Sequence, residues 1–260
     1  MKKGIFCAAA AAIMLLSSSA MAAEKTKVGF APEPYPPFWV PDAQGKWTGW
    51  EVEFIDAVCA EAKLDCELVP VAWEGIIPAL LGGKIDVIMN SMRINDERRK
   101  VIDFSDSYYD MPTSVVAAKA DKIGVSPEDM SGKIIGVQVS SGQQAYANKV
   151  FAAQAAEISG YNTQDEAYQD LAAGRIDVVL DRVITMDQFL KSDAGKSCCD
   201  TKGDLPADSA TLGEGNGAGL RKADTELKAK LNTAIAAVLA NGTYAKISKT
   251  YFDFDISPKK

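Results

Sequence analysis

With 260 residues, 47% of them hydrophobic and 24% charged, the chain has an ordinary globular composition and the length for one large domain or two small ones. A net charge of −7 speaks against nucleic acid as a partner. A sequence with no histidine and no CxxC pair offers little to a metal ion or a histidine-activated nucleophile, and no cofactor motif is present.

The N-terminus stands apart from the rest. Lys2 and Lys3 precede an apolar run over residues 5–16, and Ala20-Met21-Ala22 fits the small-x-small rule for cleavage. Residues 1–22 therefore read as a secretory signal peptide. Loss of the two lysines takes the 28 basic residues to 26 against 35 acidic ones, a mature net charge of −9. No later segment is apolar enough to span a membrane, so the mature chain is not expected to be membrane-inserted. Four cysteines remain in it, and in an exported protein they allow three disulfide connectivities. Cys59 and Cys66 fall at a helix end and the start of the next strand, a natural pair. Cys198 and Cys199 are adjacent, closer than a relaxed disulfide prefers. A vicinal bridge, two thiols or partners elsewhere all stay open for them.

In chain order, residues 26–30 form a first strand pointed at the loop 31–40, APEPYPPFWV. Its four prolines forbid regular structure and stiffen it, and Glu33, Tyr35, Phe38 and Trp39 are its chemical content. A helix spans about 51–63, with Val52, Ile55, Val58, Cys59 and Ala62 at helical spacing; a strand follows at 67–71. Trp73 precedes an amphipathic helix over 75–81, and serves either the core or as an apolar plate for a ligand side chain.

Residues 83–100, GKIDVIMNSMRINDERRK, carry the most chemistry. Ile85, Val87, Ile88 and Met89 make a strand; Asn90 and Ser91 sit at its end. Asn95 or Asp96 caps the next helix, one turn before Arg98. A guanidinium beside a strand end and a helix start is suited to a carboxylate. The stretch LLGGKIDVIMNS at 80–91 is echoed by LAAGRIDVVLDR at 171–182, aligning Asn90 with Asp181. A spacing of 91 residues suits two similar α/β lobes. One copy ends near an anion anchor, the other in Asp181, a cation anchor.

Residues 113–119 form a strand leaving the first lobe, 126–130 a short helix, and 133–139 a strand opening a second α/β pattern. The small polar turn 140–143 leads into a helix expected over 144–155. A helix at 166–172, a strand at 176–180 and a helix at 184–190 follow. Residues 197–219 read as largely irregular, before helices at 227–239 and 244–251.

Together these residues resemble the bacterial periplasmic solute-binding proteins for polar amino acids, especially the lysine/arginine/ornithine- and histidine-binding group. The likeness rests on GFAPEPYPPF, the Cys59/Cys66 spacing, IIPALLGGKIDVIMNSM, INDERRKVIDFSDSYY, IGVQVSSGQQAYAN, LAAGRIDVVLD, GLRKADTELKAKLN and NGTYAKISKTYFDFDI. It implies an α/β, two-lobed type II periplasmic binding protein fold with the ligand in the cleft between lobes. Lobe 1 would comprise 23–112 and 211–260 and lobe 2 116–207, joined by hinge strands near 111–115 and 206–212. It also implies a monomer in the periplasm that delivers its ligand to an inner-membrane ABC permease.

By the same resemblance Arg98 holds the ligand α-carboxylate, with Asn90, Ser91 and the backbone of Arg93 beside it. Asp181 accepts the α-ammonium. Tyr35 and Trp73 sandwich the side chain, and Gln138, Ser141 and Gln143 come from lobe 2. If Glu33 faces the pocket it favours lysine, ornithine or arginine. If the Arg93 side chain reaches in, an acidic amino acid or an opine fits instead; otherwise Arg93 uses only its backbone amide. The chain is one residue shorter than that group near Asp181, with Arg182 following. A rival reading is a periplasmic dehydratase on the same fold, for which Glu33 is the one candidate general acid. The preferred reading is a binder and not an enzyme.

Overall fold

Two five-stranded sheets organise the chain in a computed structural model that describes residues 25–258; the signal peptide read at 1–22 lies outside the described residues. The first half runs β1 (Thr26–Phe30), β2 (Val40–Pro41), β3 (Trp47–Thr48), α1 (Trp50–Ala62), β4 (Cys66–Pro70), α2 (Ile76–Leu81), β5 (Val87–Ile88), α3 (Asp96–Val101), β6 (Asp103–Phe104) and β7 (Thr113–Ala118). It continues with β8 (Ile134–Gln138), α4 (Gly142–Tyr146), β9 (Glu157–Tyr161), α5 (Gln164–Ala172), β10 (Val178–Arg182), α6 (Val183–Lys191), α7 (Asp193–Cys198) and β11 (Cys199–Asp204). After a long connection come β12 (Gly219–Leu220), α8 (Thr225–Ala240) and α9 (Thr243–Tyr251).

One sheet has the order β4-β1-β5-β12-β6, the other β11-β7-β10-β8-β9. In each, three neighbouring strands run parallel: β4, β1 and β5 in the first, β9, β8 and β10 in the second. Parallel strands need both faces covered, and a run of consecutive apolar residues provides this because successive side chains point to opposite faces. In β10, Val178 and Leu180 enter one core while Val179 enters the other. Val87 and Ile88 of β5 divide in the same way. Helices α1, α8 and α9 close one face of the first sheet over an aromatic cluster that includes Phe38, Trp50, Phe54, Tyr108, Tyr244 and Phe252.

The chain passes between the sheets through residues 105–112 and returns through 205–218. The two passages run side by side: Asn216 N–H donates to Tyr109 O at 2.8 Å and Tyr108 N–H to Asn216 O at 2.9 Å. Gly213 on the return has φ +79°, and a Cβ there would lie 2.4 Å from Ile94 O, so only glycine fits.

Some local expectations change. The helix expected over 144–155 is α4 followed by a π-helical turn, Ala147–Phe151. The segment read as irregular from 197 contains β11, a polar edge strand paired antiparallel to β7, whose solvent-facing residues hide its alternation. Strand β9 is unforeseen for the same reason, as it too lies at a sheet edge with few buried residues. Cys59 pairs with Cys66, tying the end of α1 to the start of β4, and Cys198 pairs with its neighbour Cys199 between α7 and β11.

Candidate ligand-binding site

A cavity of about 460 Å³ lies between the two sheets, at the ends of β1, β5, β8 and β10. The side of the first sheet contributes Glu33, Tyr35, Trp39, Trp73, Asn90, Ser91 and Arg98; the other contributes Gln138, Ser141, Gln143, Gln164, Asp165, Tyr168, Arg182, Thr185 and Phe189.

The stiff proline loop is fixed at both ends. Asn90 Oδ1 accepts from Ala31 N–H at 3.0 Å, and Trp39 Nε1 donates to Glu33 O at 2.8 Å. Tyr35 stacks on Phe38 with centroids 5.6 Å apart, so its ring is held at the wall. Glu33 Oε2 is buried and has no hydrogen-bond partner. An unpaired buried carboxylate oxygen is costly, and a bound cation removes the cost.

Arg98 is placed by the cap of its helix. Asn95 accepts from Arg98 N–H at 2.9 Å, so Asn95, not Asp96, is the N-cap of α3. The guanidinium then donates to Arg93 O at 2.9 Å and to Ser140 O, across the cleft, at 3.0 Å, and lies 5.3 Å from the Trp73 ring centroid. Three of its five N–H donors stay available. Burial, then the charges of Arg182 and Arg93, pull it down to about 9. Among the described residues no carboxylate offsets that repulsion.

Ser91 ends the strand in a left-handed conformation, φ 52°. Glu51, 1% exposed in the first turn of α1, holds it there. Ser91 N–H and Oγ–H both donate to the Glu51 carboxylate, at 2.8 and 2.7 Å, and the Tyr108 hydroxyl donates to it as well. Burial pushes the Glu51 carboxyl up, against these three donors.

Two expected residues lie behind the wall. The Arg93 guanidinium turns away to Asp110, at 2.9 Å, and to the Met111 carbonyl. It therefore does not reach into the cavity, which removes it as the source of a second carboxylate site. Asp181 is 1% exposed and saturated by donors: Arg182 N–H at 2.7 Å, Tyr168 OH at 2.8 Å and Thr185 Oγ1 at 2.5 Å, with Gln143 Nε2 at 3.5 Å. Burial pushes its carboxyl up, against those bonds. Strand alternation sets this outcome, since consecutive residues of β10 face opposite ways and it is Arg182 that lines the cavity.

The two sides are bonded to one another around the cavity. Arg182 Nη2 donates to Ser91 O at 2.6 Å and Nη1 to Tyr109 OH at 3.0 Å, while Trp73 Nε1 donates to Val139 O at 3.1 Å. Burial opposes the Arg182 charge, but Tyr109, Tyr35, Asp181 and Glu51 around it hold the guanidinium above its ordinary value.

The site is thus a cleft between two α/β lobes that holds a buried guanidinium, Arg98, with no counter-ion among the described residues. Residues 26–254 match the profile of the bacterial extracellular solute-binding proteins, family 3. The chain belongs to that family. As a solute-binding protein it is 40% identical over 249 residues to the L-arginine-binding protein of Pseudomonas aeruginosa, covering 95% of each chain. It is 36% identical over 259 residues to the lysine/arginine/ornithine-binding periplasmic protein of Escherichia coli, covering 98% of this chain and 99% of that one. An ancestral arginine-binding protein bound to arginine superposes with a TM-score of 0.79 at 32% identity, covering 88% of this chain and 98% of the other. The shared architecture is the two-lobed type II fold. Among the described residues no helix is long and apolar enough to cross a membrane.

Proposed function

We propose that this solute-binding protein is the periplasmic substrate-binding component of an amino acid ABC importer, and that its ligand is built on a basic L-amino acid. The observation that carries the reading is a pair of unmet charges in one cavity: Arg98, buried without a counter-ion, and Glu33 Oε2, buried without a donor. Arg98 receives the α-carboxylate and Glu33 the cationic end of the side chain, with Tyr35 and Trp73 flanking the chain between them. Asn90 and Ser91 shape the carboxylate end. Gln138, Ser141 and Gln143 close over the ligand from the second lobe, and Asp181 acts through the Thr185 and Gln143 groups that it orients. The names of the arginine- and lysine/arginine/ornithine-binding relatives support the same side-chain class.

In this reading the signal peptide is cleaved near Ala22. Lobe 1 is 23–112 with 211–260, lobe 2 is 116–207, and 111–115 and 206–212 are the hinges. The protein works as a monomer that hands its ligand to an inner-membrane permease. Closure is driven by contacts made only when the lobes meet. A thermal-shift screen of the ligand-free mature protein tests this. A ligand at about a hundred times its dissociation constant adds ~2.7 kcal/mol. A shift with arginine, lysine or ornithine derivatives is expected; a shift confined to glutamate and other acids without a cationic end would overturn it.

A further inference from the structure

Cys198 and Cys199 are bonded to each other where α7 ends and β11 begins. A disulfide stabilises a fold mainly by closing a loop of chain, and a bridge between neighbours closes almost none. Cys59–Cys66 ties a helix to a strand, whereas Cys198–Cys199 joins residues that the peptide bond already joins. Its oxidised and reduced forms therefore differ locally, around α7, and the chain stays tethered in both.

What surrounds the bridge is the wall of the cavity. Cys199 is 3% exposed and packs with Tyr168, Leu171 and Met186. Cys198 is half-buried and packs against the same cluster, as does Phe189. Tyr168 and Phe189 stack with centroids 4.3 Å apart, and both line the cavity. Helix α7 has its N-cap, Ser192, on the cavity and its last residue, Cys198, in the bridge. It lies so close to α6 that a Cβ on Gly195 would overlap the Phe189 carbonyl oxygen. Helix α7 thus joins the disulfide to the ligand wall.

We infer that Cys198–Cys199 is a redox switch on ligand binding, with the bridged form the tighter binder. This deepens the proposed function and rests on it. Cys198 is the more exposed of the pair, so it takes the attack of a thiolate from an exported CxxC dithiol protein. The S–S bond breaks and Cys199 leaves as a thiolate, which takes up a proton. The donor's second thiol loses its proton, attacks the mixed disulfide and frees Cys198. Two electrons and two protons pass to this protein, and the donor ends as a disulfide. Separated thiols need van der Waals room in place of a bond, and the packed core at Cys199 has none to give. Cys198 and the end of α7 move instead, drawing Ser192 and Phe189 out of the wall.

The test is calorimetric titration with L-arginine of the mature protein, untreated and after excess dithiothreitol, beside the double variant Cys198→Ser/Cys199→Ser. Reduction opens Cys59–Cys66 in both proteins alike, so the difference between them reports on the vicinal pair. In the wild type, reduction should weaken arginine binding by at least about fivefold, a typical coupling between sites, and reoxidation should restore it. The double variant should bind weakly from the start and respond no further. Amide hydrogen exchange over 183–199 should quicken on reduction in the wild type alone. An affinity that reduction changes equally in the two proteins, or in neither, would overturn the switch and leave the proposed function standing. Failure of the untreated wild type to bind arginine would overturn the proposed function; exchange over 183–199 would then decide on the switch, which unchanged rates would overturn. Should the double variant not fold, Cys59→Ser/Cys66→Ser replaces it, with Cys198–Cys199 as its only bridge, and an affinity unmoved by reduction there overturns the inference.

Discussion

The ends of β5 and β10 are equivalent positions in the two lobes, and they are built alike until their last two residues. Gly83 and Gly174 turn into them with φ 70° and 69°. Asp86 and Asp177 then do the same work. Asp86 accepts from Lys27 N–H at 3.0 Å, and Asp177 from Ile134 N–H at 2.8 Å, each pinning its strand to a parallel neighbour, β1 or β8. Beyond that point they diverge. Asn90 holds the proline loop and Ser91 is fixed by Glu51, whereas Asp181 collects hydroxyls and Arg182 crosses the cleft. The crossing bond joins Arg182 to Ser91, two positions that are counterparts 91 residues apart. The repeated residues are scaffold, and the divergent pair makes the site. A two-lobed cleft brings such counterparts face to face, so one changed residue can alter both closure and ligand choice.

The largest expected effect is at the anion anchor. Arg98→Ala should weaken ligand binding by about 2–5 kcal/mol, because a desolvated carboxylate loses its partner; near-normal affinity by calorimetry would detach the β5 end from the site. Next is the brace beneath Ser91. Glu51→Gln exchanges an acceptor for a donor facing the Ser91 and Tyr108 donors, and should cost about 1–3 kcal/mol in urea unfolding. No loss would mean that Ser91 holds its left-handed turn unaided.

Affinity should also report on Arg98 through pH. Its guanidinium must be charged to bind a carboxylate, and in the unliganded protein burial and its arginine neighbours bring it down to about 9. Affinity is therefore full below that pH and falls above it, by up to about tenfold per unit; a flat profile to pH 10 would contradict this. The smallest effects test the scaffold. Asp86→Ala and Asp177→Ala should each cost about 1 kcal/mol of stability. A large loss at one and none at the other would break the equivalence of the two copies.

Much of this was legible in the chain. Periodicity marks α1 and α8, a short run rich in apolar residues marks β7, the caps mark α3, and the echo at 171–182 shows a second lobe. Glu33, Tyr35, Trp73, Asn90, Ser91, Arg98, Gln138, Ser141 and Gln143 come together around one cavity. What stayed hidden depends on contacts far apart in sequence. Glu51 looks like any acidic residue in a first helical turn, and only packing against Tyr108 and Ser91, 57 and 40 residues away, buries it. Whether Asp181 or Arg182 faces the cleft depends on the register of β10 against β7, which composition does not encode. Tyr168, Thr185 and Phe189 line the cavity from helices whose apolar faces read as ordinary core. Two signals pointed to Arg182: its alignment with Ser91, and the one-residue shortening near Asp181 that sets this chain apart from the group it resembles.

In the proposed function one cavity holds a ligand by its carboxylate on Arg98 and by a cationic side-chain end at Glu33. Titration of ligand-free protein with arginine and with citrulline, in the wild type and in Glu33→Gln, tests this most directly. The two ligands share their shape but differ at the side-chain end, where a charged guanidinium gives way to a neutral urea whose oxygen accepts in place of an N–H donor. The wild type should prefer the guanidinium ligand by at least about tenfold, as befits a charge-assisted bond, and Glu33→Gln should lose most of that preference. Equal binding of the charged and neutral ligands by the wild type, or a preference untouched by the substitution, would contradict it.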